Sequence, residues 1–203
     1  MQALAVMMKQ REIELKLSID EDIYKALCKA LESVGETQKQ TNIFFDSKEN
    51  VLQKNKWALR LRHENQKSSL TAKGPSIPKN GVFDREEVEI ELAKTECEHL
   101  ENGFDLQESN FEPCQFLANS YGNLKLVEFL RFNNSRSKLK WNGFVLEIDH
   151  SQVKNVDKYE LEIETEASRI ELLQSSLISY FKENNWEFIP SEKSKLEWAL
   201  ENC

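Results

Sequence analysis

Long apolar runs are missing from this 203-residue chain. The mildly apolar opening, Met1 to Met8, is too short for a signal sequence or a membrane span, and no later run reaches bilayer length. The expected location is the cytoplasm, with no membrane partner. Basic charge is in deficit. The chain has 27 Lys and Arg against 35 Asp and Glu, a formal net charge of −8, so nucleic acid is not an expected partner. Cysteine is sparse. Cys28, Cys97, Cys114 and Cys203 are not spaced as a metal knuckle or a redox pair, which points to a reducing compartment. Cys28 lies on the apolar side of an expected helix. His63, His99 and His150 are scattered, which argues against zinc. There is no tandem repeat, low-complexity tract or dividing linker. Residues 1–203 are read as one domain, and 39% hydrophobic with 31% charged residues is a soluble globular balance with a surplus of charge to place.

What the chain does have is alternating charge. In Arg11-Glu12-Ile13-Glu14-Leu15-Lys16-Leu17, an extended strand puts Glu12, Glu14 and Lys16 on one face, about 7 Å apart, and Ile13, Leu15 and Leu17 on the other. For a lone strand this is a solvated face over a buried one, but the pattern recurs. Trp57–Arg62 places Arg60 and Arg62 opposite Leu59 and Leu61. In Val82–Leu92, Arg85, Glu87, Glu89 and Glu91 oppose Val88, Ile90 and Leu92. Arg136, Lys138 and Lys140 alternate, as do Glu147 and Asp149 in Phe144–Asp149, and Glu160 and Glu162 in Tyr159–Glu164. With Thr41–Asp46 and Leu70–Lys73, this gives about eight strands, mostly in hairpins.

Helices fill the gaps. Asp20 or Ser18 caps one whose apolar stripe is Ile23, Leu27, Leu31 and Val34, with Gly35 as its stop. Ile170, Leu173, Leu177 and Phe181 mark another, and short helices are expected in Glu96–Glu101, Pro113–Tyr121 and the last segment, Ser191–Asn202. Ser47–Asn50 reads as a turn, and 74–81, with Pro75 and Pro78, as a loop. The greasy helix stripes need an apolar surface, which the apolar strand faces supply, so the charged faces lie opposite. If the sheet curls into a barrel, the acidic and basic strands line one lumen. Buried charge is costly unless paired, and a polyanion held by Arg and Lys, with a divalent cation held by carboxylates, satisfies both signs. Oxygen donors favour Mg²⁺ or Mn²⁺, and phosphoryl transfer suits positioning and charge stabilisation.

Glu12-x-Glu14-x-Lys16 resembles the signature of the triphosphate tunnel metalloenzymes, the CYTH superfamily. The resemblance continues through Phe45-Asp46, Leu59-Arg60-Leu61-Arg62, Lys73, Arg85-x-Glu87, Arg136, Glu147-Ile148-Asp149, Glu160-Leu161-Glu162 and Lys195. The detail is similar to plant-type tripolyphosphatases in Asn42–Asp46, Trp141-x-Gly143-x-Val145-Leu146-Glu147-x-Asp149 and Tyr159–Thr165. The resemblance implies an α+β fold: an eight-stranded antiparallel barrel, open as a tunnel with a charged lumen and flanked by helices. It implies a metal-dependent triphosphatase acting on tripolyphosphate or on organic triphosphates such as thiamine triphosphate. A class IV-type adenylyl cyclase and a non-catalytic polyphosphate binder are the alternatives.

By position, the resemblance implies phosphate binding by Lys16, Arg60, Arg62, Lys73, Arg85, Arg136 and Lys195. It implies metal binding by Glu12, Glu14, Glu147, Asp149, Glu160 and Glu162, and catalytic parts for Lys16, Lys73, Glu162 and Lys195. Animal thiamine triphosphatases resemble this chain but place a Trp directly before the third strand's Leu-Arg. Here Ala58 stands there, and Trp57, one residue earlier, is expected to point away from Arg60.

Overall fold

The computed structural model describes residues 9–65 and 67–203. In chain order the elements are β1 (Lys9–Ile19), α1 (Glu21–Ala30), β2 (Glu32–Ser33), β3 (Gln38–Asp46), α2 (Val51–Lys54), β4 (Ala58–Glu64), β5 (Lys67–Lys73), β6 (Val82–Leu92), α3 (Lys94–Glu101), β7 (Phe104–Asp105), α4 (Glu112–Tyr121), β8 (Lys125–Trp141), β9 (Phe144–Val153), β10 (Val156–Glu164), α5 (Ile170–Glu183), β11 (Ile189–Pro190) and α6 (Lys195–Glu201). The strand order β10-β9-β8-β3-β4-β5-β6-β1 returns to its start because β1 also pairs with β10. This is the expected closed, eight-stranded antiparallel barrel. No helix among the described residues is long and apolar enough to cross a membrane, which says nothing about strands.

The contacts divide the chain into two compact units. The first holds β1 up to Arg11, Thr41–Ser76 and Arg85–Arg131. Its core joins the apolar strand residues Ile43, Phe45, Leu59, Leu61, Leu70 and Ala72 to Cys97 and Leu100 of α3 and Cys114 and Leu117 of α4. Trp57 packs on this apolar side, its ring 5.2 Å from Phe116, as the period-two alternation requires.

Asp46, part of the sequence pattern above, has a structural task in this unit. It is buried, and its Oδ1 accepts from the backbone N–H groups of Ser47 (2.7 Å) and Leu52 (2.9 Å) while Oδ2 accepts from Gln53 (2.9 Å). These bonds hold the turn into α2, a helix the sequence reading did not anticipate. Asp46→Ala is expected to cost about 2–3 kcal/mol, because buried donors lose a charged acceptor. A urea-unfolding midpoint equal to wild type would refute that role.

The second unit holds Glu12–Gln40, Ile77–Asp84 and Phe132–Cys203. Leu15 and Leu17 of β1, Leu146 and Ile148 of β9, and Leu161 and Ile163 of β10 pack with Ile23 and Leu27 of α1 and Leu173, Leu177 and Phe181 of α5. The helices therefore cover the apolar faces, as expected.

Two boundaries differ from the sequence reading. The first helix ends at Ala30, so Leu31 and Val34 lie outside it. Leu31 is extended, Glu32 and Ser33 pair with Lys140 and Leu139, and the Val34 N–H donates to the Lys138 carbonyl at 2.7 Å. Backbone bonding to β8 replaces the next helical turn. β8 itself begins at Lys125, well before the alternating cations that announced it.

Candidate active site

Strand register assembles the charges of the second unit. Arg136 of β8 stands opposite Asp149 of β9, which stands opposite Glu160 of β10. In the neighbouring row, Lys138 faces Glu147, Glu147 faces Glu162, and Glu162 faces Lys16 of β1. Opposed residues on adjacent strands lie close enough for their side chains to interact. Four consecutive positions of β10, Glu160 to Ile163, are all buried. Leucine and isoleucine point toward the helices, and the two carboxylates point the other way.

The buried groups interlock. Arg136 makes a side-on fork to Asp149, Nε to Oδ1 at 2.8 Å and Nη2 to Oδ2 at 2.6 Å. It also donates to Glu147, and to Glu162 Oε2 at 2.6 Å. Glu162 Oε1 takes Lys16 Nζ at 2.6 Å and Lys195 Nζ at 2.5 Å. Lys16 further pairs with Glu14 at 3.0 Å, and its ammonium lies 5.2 Å from the centre of the Phe83 ring.

Backbone bonds fix Lys16 as well. Its N–H donates to Gly81 O (2.8 Å), and its carbonyl accepts from Ser191 N–H (2.9 Å). Gly81 has φ +78°, and a Cβ there would meet the Lys16 carbonyl oxygen at 2.5 Å. Only glycine fits so tight an approach in that conformation.

Burial opposes charge on Arg136, Asp149, Glu162 and Lys195, and the opposite charges outweigh it. Burial would raise the Asp149 carboxyl, but Arg136 and Lys195 bring it down to about 2. Glu162 is likewise held well below the ordinary carboxylate range by Lys16, Lys195 and Arg136. Burial works against Arg136 and Lys195 too, yet the carboxylates raise both. Lys158 differs: burial dominates and lowers it, despite Glu160.

A pH dependence of the metal-free protein follows. Both carboxyls have lower pKa values folded than unfolded, so the unfolded chain binds more protons between about pH 4 and pH 2, and stability there rises with pH. The contribution is complete above about pH 5 and is lost as pH falls toward 2. Asp149 alone accounts for about 2 kcal/mol. Urea midpoints that do not change between pH 6 and pH 3 would contradict this.

In the first unit, Arg60 is buried and its Nη2 donates to Thr71 Oγ1 at 3.3 Å, with Glu89 Oε2 at 3.8 Å. Arg62 donates to Asn42 Oδ1 at 3.0 Å, and Lys73 pairs with Glu87 at 2.7 Å. Arg85 is half-buried on β6. Glu12, in the second unit, is half-buried on β1, two residues before Glu14.

The structure thus brings together Glu14, Lys16, Arg136, Glu147, Asp149, Glu160, Glu162 and Lys195. Sequence reasoning missed Lys158, whose Nζ lies 2.8 Å from Glu160 Oε1, and Ser191, whose hydroxyl reaches the same oxygen at 3.4 Å. It also missed Asn134, which donates to Asp149 Oδ1 at 3.1 Å and to Gln40 Oε1 at 2.8 Å. Continuing the two-residue period back from Glu160 and Arg136 would have found Lys158 and Asn134. Ser191 carried no such signal.

The donor set suits a hard divalent cation, since it consists of carboxylate oxygens. Glu160 Oε2 is buried without a hydrogen-bond partner among the described residues, an oxygen with capacity to spare. With the cations interleaved as they are, no three carboxylates among the described residues form a ready-made metal cluster.

No protein of curated function matches the chain. Among solved structures it is similar to HpAC1 from Hippeastrum, an adenylyl cyclase candidate whose structure is described as revealing a dominant triphosphatase activity. Identity is 25%, coverage is 94% of this chain and 95% of that one, and the TM-score is 0.83. A proposed adenylate cyclase from Bacillus halodurans shares the fold at 22% identity, with coverage of 95% and 98% and a TM-score of 0.73. PH1819 from Pyrococcus horikoshii does so at 22% identity, with coverage of 95% and 99% and a TM-score of 0.62. Residues 10–193 match the CYTH domain, and the chain belongs to that family.

Proposed function

We propose that the protein is a divalent-metal-dependent triphosphatase, with inorganic tripolyphosphate as a good substrate. The observation that carries this reading is the buried, sign-balanced cluster of Lys16, Arg136, Asp149, Glu160, Glu162 and Lys195. Ionic groups removed from water at this density suit a ligand that is itself highly charged. The triphosphatase activity described for HpAC1 supports the choice of reaction.

In this reading Lys16, Arg136 and Lys195, together with Arg60, Arg62, Lys73 and Arg85, bind phosphate oxygens. Glu12, Glu14, Asp149, Glu160 and Glu162, with Glu147, would hold Mg²⁺ or Mn²⁺. The bound ion would offset phosphate charge and make a water more acidic. Water oxygen bonds to the terminal phosphorus as the bridging P–O bond breaks, giving orthophosphate and, from tripolyphosphate, pyrophosphate. Glu162 keeps Lys16 and Lys195 aimed, and Lys195 or Lys73 steadies the leaving oxygen. The protein works as a single domain in the cytoplasm.

The name given to HpAC1 keeps a second reading open, adenylyl cyclisation of ATP. The position of Trp57 against Phe116 disfavours it as a platform for thiamine. Incubation with tripolyphosphate, thiamine triphosphate and ATP, each with Mg²⁺ and with Mn²⁺, decides among them. Orthophosphate from tripolyphosphate, abolished by excess EDTA, is the expected result. Cyclic AMP from ATP would replace the proposal with the cyclase. Thermal protection by tripolyphosphate without product would mark a binder.

A further inference from the structure

Two lysines share the carboxylate of Glu160, and they are mounted differently. Lys158 belongs to β10 itself, two residues before Glu160, so the sheet fixes its position. Its Nζ meets Oε1 at 2.8 Å, its side chain is 14% exposed, and the Trp198 ring lies 5.5 Å away. With the Ser191 hydroxyl also on Oε1, that oxygen is anchored. Oε2 is buried and accepts no hydrogen bond among the described residues.

The ammonium facing Oε2 is that of Lys195, the first residue of the seven-residue helix α6. Lys195 Nζ stands 3.4 Å from Glu160 Oε2, 2.6 Å from Asp149 Oδ2 and 2.5 Å from Glu162 Oε1. One monovalent cation thus sits among three buried carboxylates, and one of the three is left underused.

Charge balance sharpens the point. Glu14, Glu147, Asp149, Glu160 and Glu162 are equalled in number by Lys16, Arg136, Lys138, Lys158 and Lys195. A divalent cation entering alone would leave two positive charges uncompensated in a desolvated place, which is unfavourable. A triphosphate brings negative charge that can receive a displaced ammonium.

Resting on the triphosphatase reading, we propose that Lys158 and Lys195 divide the two oxygens of Glu160 between an anchor and a stand-in. Lys158 fixes Oε1. The Lys195 ammonium keeps the seat that a divalent cation takes when a triphosphate arrives to accept the lysine. Metal and triphosphate therefore bind cooperatively, and each raises the affinity for the other by the same factor.

The test measures Mn²⁺ binding to the metal-free, full-length protein by electron paramagnetic resonance, alone and with saturating imidotriphosphate, which resists hydrolysis. The Mn²⁺–imidotriphosphate complex without protein serves as blank, and calorimetry reports anion binding separately. Wild type is expected to bind Mn²⁺ weakly alone and at least about tenfold more tightly with the anion. Lys195→Met is expected to tighten Mn²⁺ binding without the anion by about tenfold and to lose most of the coupling. Lys158→Met, acting through Glu160, is expected to weaken Mn²⁺ binding in both conditions, with recovery in Lys158→Arg.

Equal wild-type Mn²⁺ affinity with and without bound anion overturns this inference and leaves the triphosphatase reading standing. Failure of imidotriphosphate to bind under any condition overturns both. A folded Lys195→Met protein that binds Mn²⁺ no more tightly than wild type also overturns it. The wild-type comparison decides the matter even if both variants fold poorly.

Discussion

Replacing Arg136 by Met is expected to destabilise the protein by about 3–5 kcal/mol, because removing one partner of a buried ionic cluster leaves the others uncompensated. Arg136 contacts Asp149, Glu147 and Glu162 at once, and Asp149 is fully buried. Hydrophobic replacement fills the volume but not the charge. Arg136→Lys should recover only part of the loss, since an ammonium cannot reproduce the side-on fork to Asp149. The acid sensitivity of the Arg136→Met variant should also change: protonating Asp149 would relieve it instead of harming it. Denaturant unfolding at pH 7 and pH 4 checks both points. A stability within about 1 kcal/mol of wild type would show that the carboxylates find other partners, contrary to the expected cost.

The second large effect concerns turnover. Glu162→Gln keeps the shape of the side chain and removes its charge, so Lys16, Lys195 and Arg136 lose their shared partner. If these cations position phosphate, kcat for tripolyphosphate should fall by about 10²–10³, the range for removing one preorganised electrostatic group. Glu160→Ala and Lys16→Ala should likewise abolish turnover. The melting temperature of Glu162→Gln separates chemistry from folding. A folded variant with near-normal kcat would remove Glu162 from the site.

Much of this site was legible because strands advertise their faces. Glu12-x-Glu14-x-Lys16 and Glu160-x-Glu162 declare a charged side by spacing alone. Which side is buried does not follow from spacing. It followed from the helices: Ile23, Leu27, Leu173 and Leu177 needed an apolar partner, which strand residues such as Leu15, Leu17, Leu146, Ile148, Leu161 and Ile163 supply.

Pairing was not legible. Nothing local indicates that Arg136 meets Asp149, or that Lys195 reaches three carboxylates on two strands. Those meetings depend on register, and register depends on the closed sheet. The misplaced end of the first helix has the same origin. Leu31 and Val34 fit a helical stripe, but the edge of β8 offered their neighbours backbone partners.

The pairing of β1 with β10 also constrains how the chain comes to be folded. Lys16 meets Glu162 across 146 residues of sequence. At ribosomal speeds of about 5–20 residues per second, roughly 7–30 s separate the emergence of the two segments. Throughout that interval the β10-facing edge of β1, from Glu14 to Ile19, lacks its partner. An edge of that kind is open to strand pairing with another chain. The nascent protein is thus most vulnerable to aggregation while half-made, and slowing translation should lower its soluble yield unless a chaperone shields the first strand.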